Sequence, residues 1–331
     1  AMAALLTVEH LTVRFHGPAG PATAVDGASF AVAPGEIFGI VGESGCGKSA
    51  TCRAILRLFG ATRAEVAGGR ILLDGVGDLR GMSERDLSQV RGRDVAFIFQ
   101  DPLTALNPTM RIGDQIAEVI RRHRGLDRAA ARAQALEVLR DVQVPAAERR
   151  LDAWPHELSG GLRQRVMIAM ALALRPRLII ADEPTTALDV TVQAQYLALL
   201  QRLQRETGVA LIVITHDFGV VAQICDRVAV MYAGRIVEQA EVGRLFDAPA
   251  HPYSRALIEA SAAMANEGGG RRFPSIPGEP PPLFGRGEGC AFAPRCAFAR
   301  DRCRREAPPQ TSAGPAGHAV RCFYPLEGDA R

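Results

Sequence analysis

Apolar and polar residues alternate from Leu5 to Phe15, and this period of two predicts a half-buried strand. Four short apolar runs, Ile37 to Val41, Val95 to Phe99, Leu178 to Ala181 and Ala210 to Ile214, predict core strands. Helical spacing marks Ser49 to Phe59, Ile112 to Arg122, Ala129 to Val142, Val166 to Leu174 and the stretch after His251-Pro252-Tyr253 up to Met264. Strands interleaved with helices indicate the α/β class. The longest apolar stretches, Val166 to Leu174 and Ala210 to Ile214, fall short of the roughly 18 to 20 residues needed to cross a bilayer. Ala1-Met2-Ala3-Ala4-Leu5 has neither a basic region nor a long apolar segment, so no leader is expected and a cytoplasmic location is.

With 331 residues, 47% hydrophobic and 23% charged, the chain suits one large domain plus an appendage. A net charge of +3 gives no case for nucleic acid, and the Arg121, Arg122, Arg124 and Arg302, Arg304, Arg305 clusters read as solvated faces. Of the 39 basic residues only Lys48 is lysine. It lies in Gly42-Glu43-Ser44-Gly45-Cys46-Gly47-Lys48-Ser49, a full phosphate-binding loop set between a predicted strand and a predicted helix. Glycines let backbone N–H groups face phosphate oxygens, and a compact ammonium fits a cradle too tight for guanidinium. Ser49 is expected to ligate Mg²⁺, Ala50 to follow it at the helix start, and Cys46 to be a small loop residue at a variable position.

The run Leu178 to Ala181 ends in Asp182-Glu183, and two carboxylates closing an apolar strand are costly unless they meet cations. Asp182 is placed to hold Mg²⁺ and Glu183 to act as general base on the attacking water. Leu158-Ser159-Gly160-Gly161-Leu162-Arg163-Gln164-Arg165 puts a capping Ser and two glycines ahead of a helix, a second cluster of free N–H donors. This segment resembles the signature motif of ATP-binding cassette (ABC) ATPases, with Leu162 where many members have Gln. The resemblance implies a fold with a mainly parallel core sheet, an antiparallel β subdomain near the N-terminus and an α-helical subdomain around residues 101–176. It further implies that Ser159, Gly160 and Gly161 press onto ATP held by a second subunit. Gln100 resembles the Q-loop residue that reaches Mg²⁺ and the attacking water, Ala187-Leu188-Asp189 the D-loop, and His216 the switch histidine that senses γ-phosphate. Phe15 is placed to stack on adenine, with a core role as its alternative.

Residues 1–248 are expected to form the nucleotide-binding domain, residues 249–288 a helix and Gly/Pro-rich linker, and residues 289–331 a small terminal module. Only 57 residues separate Gln100 from Leu158, with no second cassette and no long coiled-coil insert, which argues against the DNA-repair and translation-factor ABC proteins. Gln100-Asp101-Pro102-Leu103-Thr104-Ala105-Leu106-Asn107-Pro108 and the His251-Pro252-Tyr253 tail are similar to those of oligopeptide/dipeptide importer ATPases. Nickel importers share part of that signal, and a soluble ABC regulator is the rival from another class. The resemblance implies a peripheral protein on the cytoplasmic face of the cell membrane. Its implied partners are a second, paralogous ATPase, two permease subunits and an extracytoplasmic binding protein.

Four of the seven cysteines, Cys290, Cys296, Cys303 and Cys322, crowd the terminal module. Four thiolates suit tetrahedral Zn²⁺ or a [4Fe–4S] cluster, and neither usual spacing is present. The importer resemblance implies the cluster; zinc and unligated thiols are the alternatives. A module so short and rich in Arg and Pro is expected to need such a staple.

Overall fold

The computed structural model describes residues 3–18, 20–60, 62–186, 188–265, 276–281, 287–314 and 317–327. It divides into two compact units, one of residues 1–33, 37–80 and 215–331, the other of residues 34–36 and 81–214. Among the described residues no helix is long and apolar enough to cross a membrane. Most of the predicted linker 266–288 lies outside the described residues.

In the first unit, the N-terminal alternation becomes the strand Leu6–Gly17, with Leu6, Val8, Leu11 and Val13 buried. It pairs antiparallel with Gly20–Val32 on one side and Ala64–Leu73 on the other. The alternation slips between Val8 and Leu11, where His10 takes a φ of 48° and bulges the strand. Gly69 accommodates this bulge, because a Cβ there would meet the Glu9 carbonyl oxygen at 2.5 Å and the His10 carbonyl carbon at 2.7 Å. The strand Ile37–Val41 pairs in parallel with Arg227–Tyr232, which turns back antiparallel into Arg235–Glu241. Short tail strands Ala319–Val320 and Thr311–Ser312 extend that hairpin. The helix expected over Ser49 to Phe59 spans Lys48–Ile55 instead. Arg57 at φ 51° stops it, with Arg57 N–H bonded to Ala54 O and Leu58 N–H to Arg53 O, the pairing of a Schellman cap.

The terminal module does not stand on a core of its own. Phe292 is buried against Tyr232 and Tyr253, with ring centroids 5.2 Å from each. Burying that ring against the sheet contributes about 2 kcal/mol. A polar knot secures the same region. The fully buried Glu238 carboxylate accepts from Ala250 N–H at 2.6 Å and His251 N–H at 2.9 Å, and lies 2.8 Å from His318 Nε2 in the tail. His251, buried as well, accepts the Tyr253 N–H on Nδ1 at 3.0 Å.

In the second unit, Ala210–Thr215, Leu178–Asp182 and Val95–Ile98 lie parallel in that order, buried almost throughout, as continuous apolar runs require. Helices Ile112–Arg124 and Arg128–Asp141 pack on each other and on Gly160–Leu172. The turn between the first two is set by Gly125 at φ 66° and by Asp127, whose carboxylate caps Ala130 N–H at 2.8 Å.

Removing Glu238 strands two buried backbone donors and His318 at once. Glu238→Ala should cost about 3 kcal/mol in urea unfolding. Burial also pushes the His251 imidazole down from 6.5 to about 4, with Glu238 only partly opposing it. Unfolded chains therefore take up a proton that the folded chain refuses, so stability is full above pH 6.5 and falls as pH drops toward about 4. Melting temperature measured across that window should fall less in His251→Asn, which has no titrating group at this place.

Candidate functional site

The phosphate loop belongs to the first unit. Gly42, Gly45 and Gly47 have φ of 153°, 76° and 107°, a backbone that side chains would resist. Space excludes them too: a Cβ on Gly42 would lie 2.1 Å from Met231 O, and one on Gly47 would lie 2.6 Å from Ala24 O. Lys48, at the helix start, is 4% exposed and curls back over the loop, donating to Gly42 O at 2.7 Å and Glu43 O at 3.1 Å. This holds an ammonium against two carbonyls of the loop. Thr51 Oγ1 ties the first helical turn to Gly47 O at 2.9 Å. Cys46 is buried beneath the loop, and burial raises its thiol pKa despite the nearby Lys48. Ser44 is exposed, and Ser49 and Ala50 are half-buried in the first turn. Phe15 is half-buried, edge-on to Phe59 with centroids 6.3 Å apart. His216 is exposed directly after Thr215, and Asp217 caps the helix Phe218–Ile224 through Gly219 N–H at 2.7 Å.

The second unit carries the carboxylates. Asp182, fully buried, ends its strand, and Glu183 turns away in the left-handed region at φ 45°, a strained conformation of the kind found at working sites. Its N–H is held by Ile214 O at 3.0 Å. The Glu183 carboxylate accepts from Gln100 Nε2 at 3.1 Å and from Thr186 Oγ1 at 3.0 Å. Gln100 and Glu183, 83 residues apart in sequence, are thus brought into contact. Thr186 was not singled out by sequence, although its place three residues after Glu183 in one tight turn is the signal that could have found it. Ser159 caps Gly160–Leu172, accepting from Leu162 N–H at 3.4 Å, and Ser159 and Gly160 are exposed. Gly161 faces Val192, where a Cβ would come within 3.3 Å. Asp189 caps Val190–Thr207 through Val192 N–H at 2.9 Å. Ala187 of the expected D-loop lies outside the described residues.

The four tail cysteines line one cavity, together with His251, Phe292, Phe298, Phe323 and Tyr324. Gly289 lets their loops approach, since a Cβ would meet Arg304 O at 2.5 Å, and Cys290 N–H bonds Cys303 O at 2.8 Å. Burial raises the thiol pKa of Cys290, Cys296 and Cys322, the last to about 11, and the neighbouring cysteines add to it. Backbone N–H groups oppose this by favouring the thiolate: Phe292 and Ala293 at Cys290, Phe298 at Cys296, Tyr324 at Cys322. Arg300 and Arg302 roof the module, each 4.1 Å from the ring of Tyr324 or Phe323. Among the described residues no three His, Cys, Asp or Glu side chains are gathered closely enough to hold a metal ion as they stand. The donor set fits a metal group in chemistry, four sulfurs with N–H donors aimed at three of them; it is not drawn in around a single ion.

Residues 25–186 match the ABC transporter family, and residues 237–303 match the oligopeptide/dipeptide transporter C-terminal region. The oligopeptide transport ATP-binding protein OppD of Salmonella typhimurium is 48% identical over 98% of this chain and 94% of its own length. The dipeptide transport ATP-binding protein DppD of Escherichia coli is 45% identical over 99% of both. Among solved structures, the dimeric post-hydrolysis state of the ATP-binding cassette MJ0796 with ADP and Pi aligns with a TM-score of 0.63 at 28% identity, covering 72% of this chain and 98% of that one. On these family matches and full-length relatives, the chain belongs to the ATP-binding proteins of the oligopeptide/dipeptide ABC transporter family.

Proposed function

We propose that this chain is the ATPase subunit that powers uptake of dipeptides or oligopeptides, working on the cytoplasmic face of the membrane with two permease subunits and an external binding protein. Full-length similarity to peptide-transport ATP-binding proteins, tail included, carries this reading. The residues supply the chemistry in two sets. The phosphate loop, with Lys48 and the N–H groups from Gly42 to Ala50, holds the nucleotide phosphates, and Phe15 stacks on the adenine. Ser49, Gln100 and Asp182 are the residues that would ligate Mg²⁺, which would supply charge neutralisation on the phosphates. Glu183 accepts the proton of the attacking water, positioned by its contacts to Gln100 and Thr186. His216, exposed after its strand, answers to the terminal phosphate.

The exposed N-terminus of Gly160–Leu172 is a second anion site on the same chain. One γ-phosphate does not require both sites from one subunit, so Ser159, Gly160 and Gly161, with Asp189, serve the nucleotide of a second, paralogous ATPase. Closure of that pair on ATP drives the permeases, and hydrolysis resets them.

The terminal thiols are read as ligands of a [4Fe–4S] cluster. Four cysteines on one cavity and N–H groups pointed at sulfur favour thiolates, and thiolates with raised proton affinity persist at neutral pH when a metal replaces the proton.

Glu183→Gln should retain ATP binding, followed with a fluorescent ATP analogue, while phosphate release falls by about 10² to 10⁴; an unchanged rate would remove Glu183 from the role of base. Protein purified without oxygen should be brown and contain iron and inorganic sulfide in equal amounts, both lost in Cys303→Ser. Colourless protein with stoichiometric zinc would overturn the cluster.

A further inference from the structure

Glu43 is the second residue of the phosphate loop, at a position the loop motif leaves open. In the structure none of its polar groups is idle. Its N–H donates to Tyr253 Oη at 2.9 Å, and its carbonyl oxygen accepts from Lys48 at 3.1 Å. Its carboxylate takes both ends of one guanidinium, Oε2 at 2.6 Å from Arg295 Nη1 and Oε1 at 2.9 Å from Nη2. Tyr253 and Arg295 lie 210 and 252 residues beyond Glu43.

Arg295 is itself fixed on every side. Nε donates to Pro277 O at 3.0 Å, Nη2 to Ile276 O at 3.3 Å and Nη1 to Tyr232 Oη at 3.3 Å. Its side chain is 4% exposed and its guanidinium lies 5.8 Å from the centre of the Tyr232 ring. It closes the single turn Ala293–Arg295, directly before Cys296 and between two of the four thiols. Tyr232, Tyr253 and Phe292 pack against one another beneath it. A bidentate pair whose guanidinium is buried is directional, and lysine cannot reproduce its two-point geometry.

The backbone torsions of Glu43 fix where the following N–H groups of the loop point. We propose that Arg295 and Tyr253 are positioning residues of the nucleotide site: through Glu43 they hold the phosphate loop in its nucleotide-binding shape, which makes the C-terminal extension a working part of the ATP site. The proposal requires nucleotide binding alone and does not depend on what the four thiols ligate or on what is transported. By reciprocity, a nucleotide seated on the loop also steadies the turn that carries Arg295.

The test is a double-mutant cycle on the full chain, with affinity for a fluorescent ATP analogue as the readout and melting temperature as the control for folding. Arg295→Met and Glu43→Gln should each weaken binding by about tenfold, and the double variant should bind no more weakly than either single one, because the two act through one contact. Arg295→Lys should recover part of the loss, and Tyr253→Phe should weaken binding without touching the ion pair. Should Arg295→Met fold poorly, Arg295→Lys and Tyr253→Phe carry the test. Wild-type affinity in folded Arg295 and Tyr253 variants, tighter binding, or strictly additive losses would overturn the proposal. Intact ATP affinity with a lowered melting temperature would leave Arg295 a stabilising residue only.

Discussion

A phosphate loop works only if its backbone is held where side chains would ordinarily be, and most of what is particular about the first unit follows from that. Gly42 approaches Met231 O and Gly47 approaches Ala24 O so closely that no Cβ fits at either place. The strand Arg227–Tyr232 and the strand Gly20–Val32 therefore have to present bare backbone at the right height. Lys48 completes the arrangement from inside, bonded to the carbonyls of Gly42 and Glu43. A chain that otherwise uses arginine for every basic position keeps lysine here because a broad, flat guanidinium cannot enter so close a space.

The same loop is gripped from outside by the tail. Glu238, buried without solvent, is satisfied by two backbone donors and by His318, so the terminal residues are fastened to the hairpin below them. Phe292 shares the aromatic layer of Tyr232 and Tyr253. The terminal module, expected to be too small to hold itself together, packs on a borrowed core. From that anchored position Arg295 reaches Glu43.

In the second unit, the residues proposed for function sit at exposed helix ends and in one strained turn. Glu183 occupies a left-handed conformation that places its carboxylate beside Gln100 and Thr186. Ser159 and Asp189 spend their side chains on capping, leaving the remaining N–H groups of their first turns to solvent or to a ligand. The caps are local chain chemistry, whereas the Glu183 turn is held by Gln100 and Ile214, both distant in sequence.

That difference explains what could be read from sequence. The strands Ile37–Val41, Leu178–Asp182 and Ala210–Thr215 and the helices Ile112–Arg124 and Arg128–Asp141 were legible because buried strands and amphipathic helices write their period into consecutive residues. The phosphate loop and signature were legible because glycine spacing and caps are local requirements. The end of the first helix at Ile55 was not, since Arg57 in a left-handed conformation carries no glycine to announce it. Nor were the Glu43–Arg295 pair, the Glu238 knot or the meeting of four cysteines on one cavity. Sequence alone marked the residues whose types and spacing suit phosphate; tertiary structure alone decided which distant residues pack against them, because an ion pair across 252 positions leaves no periodic trace and exists only once the chain has closed around it.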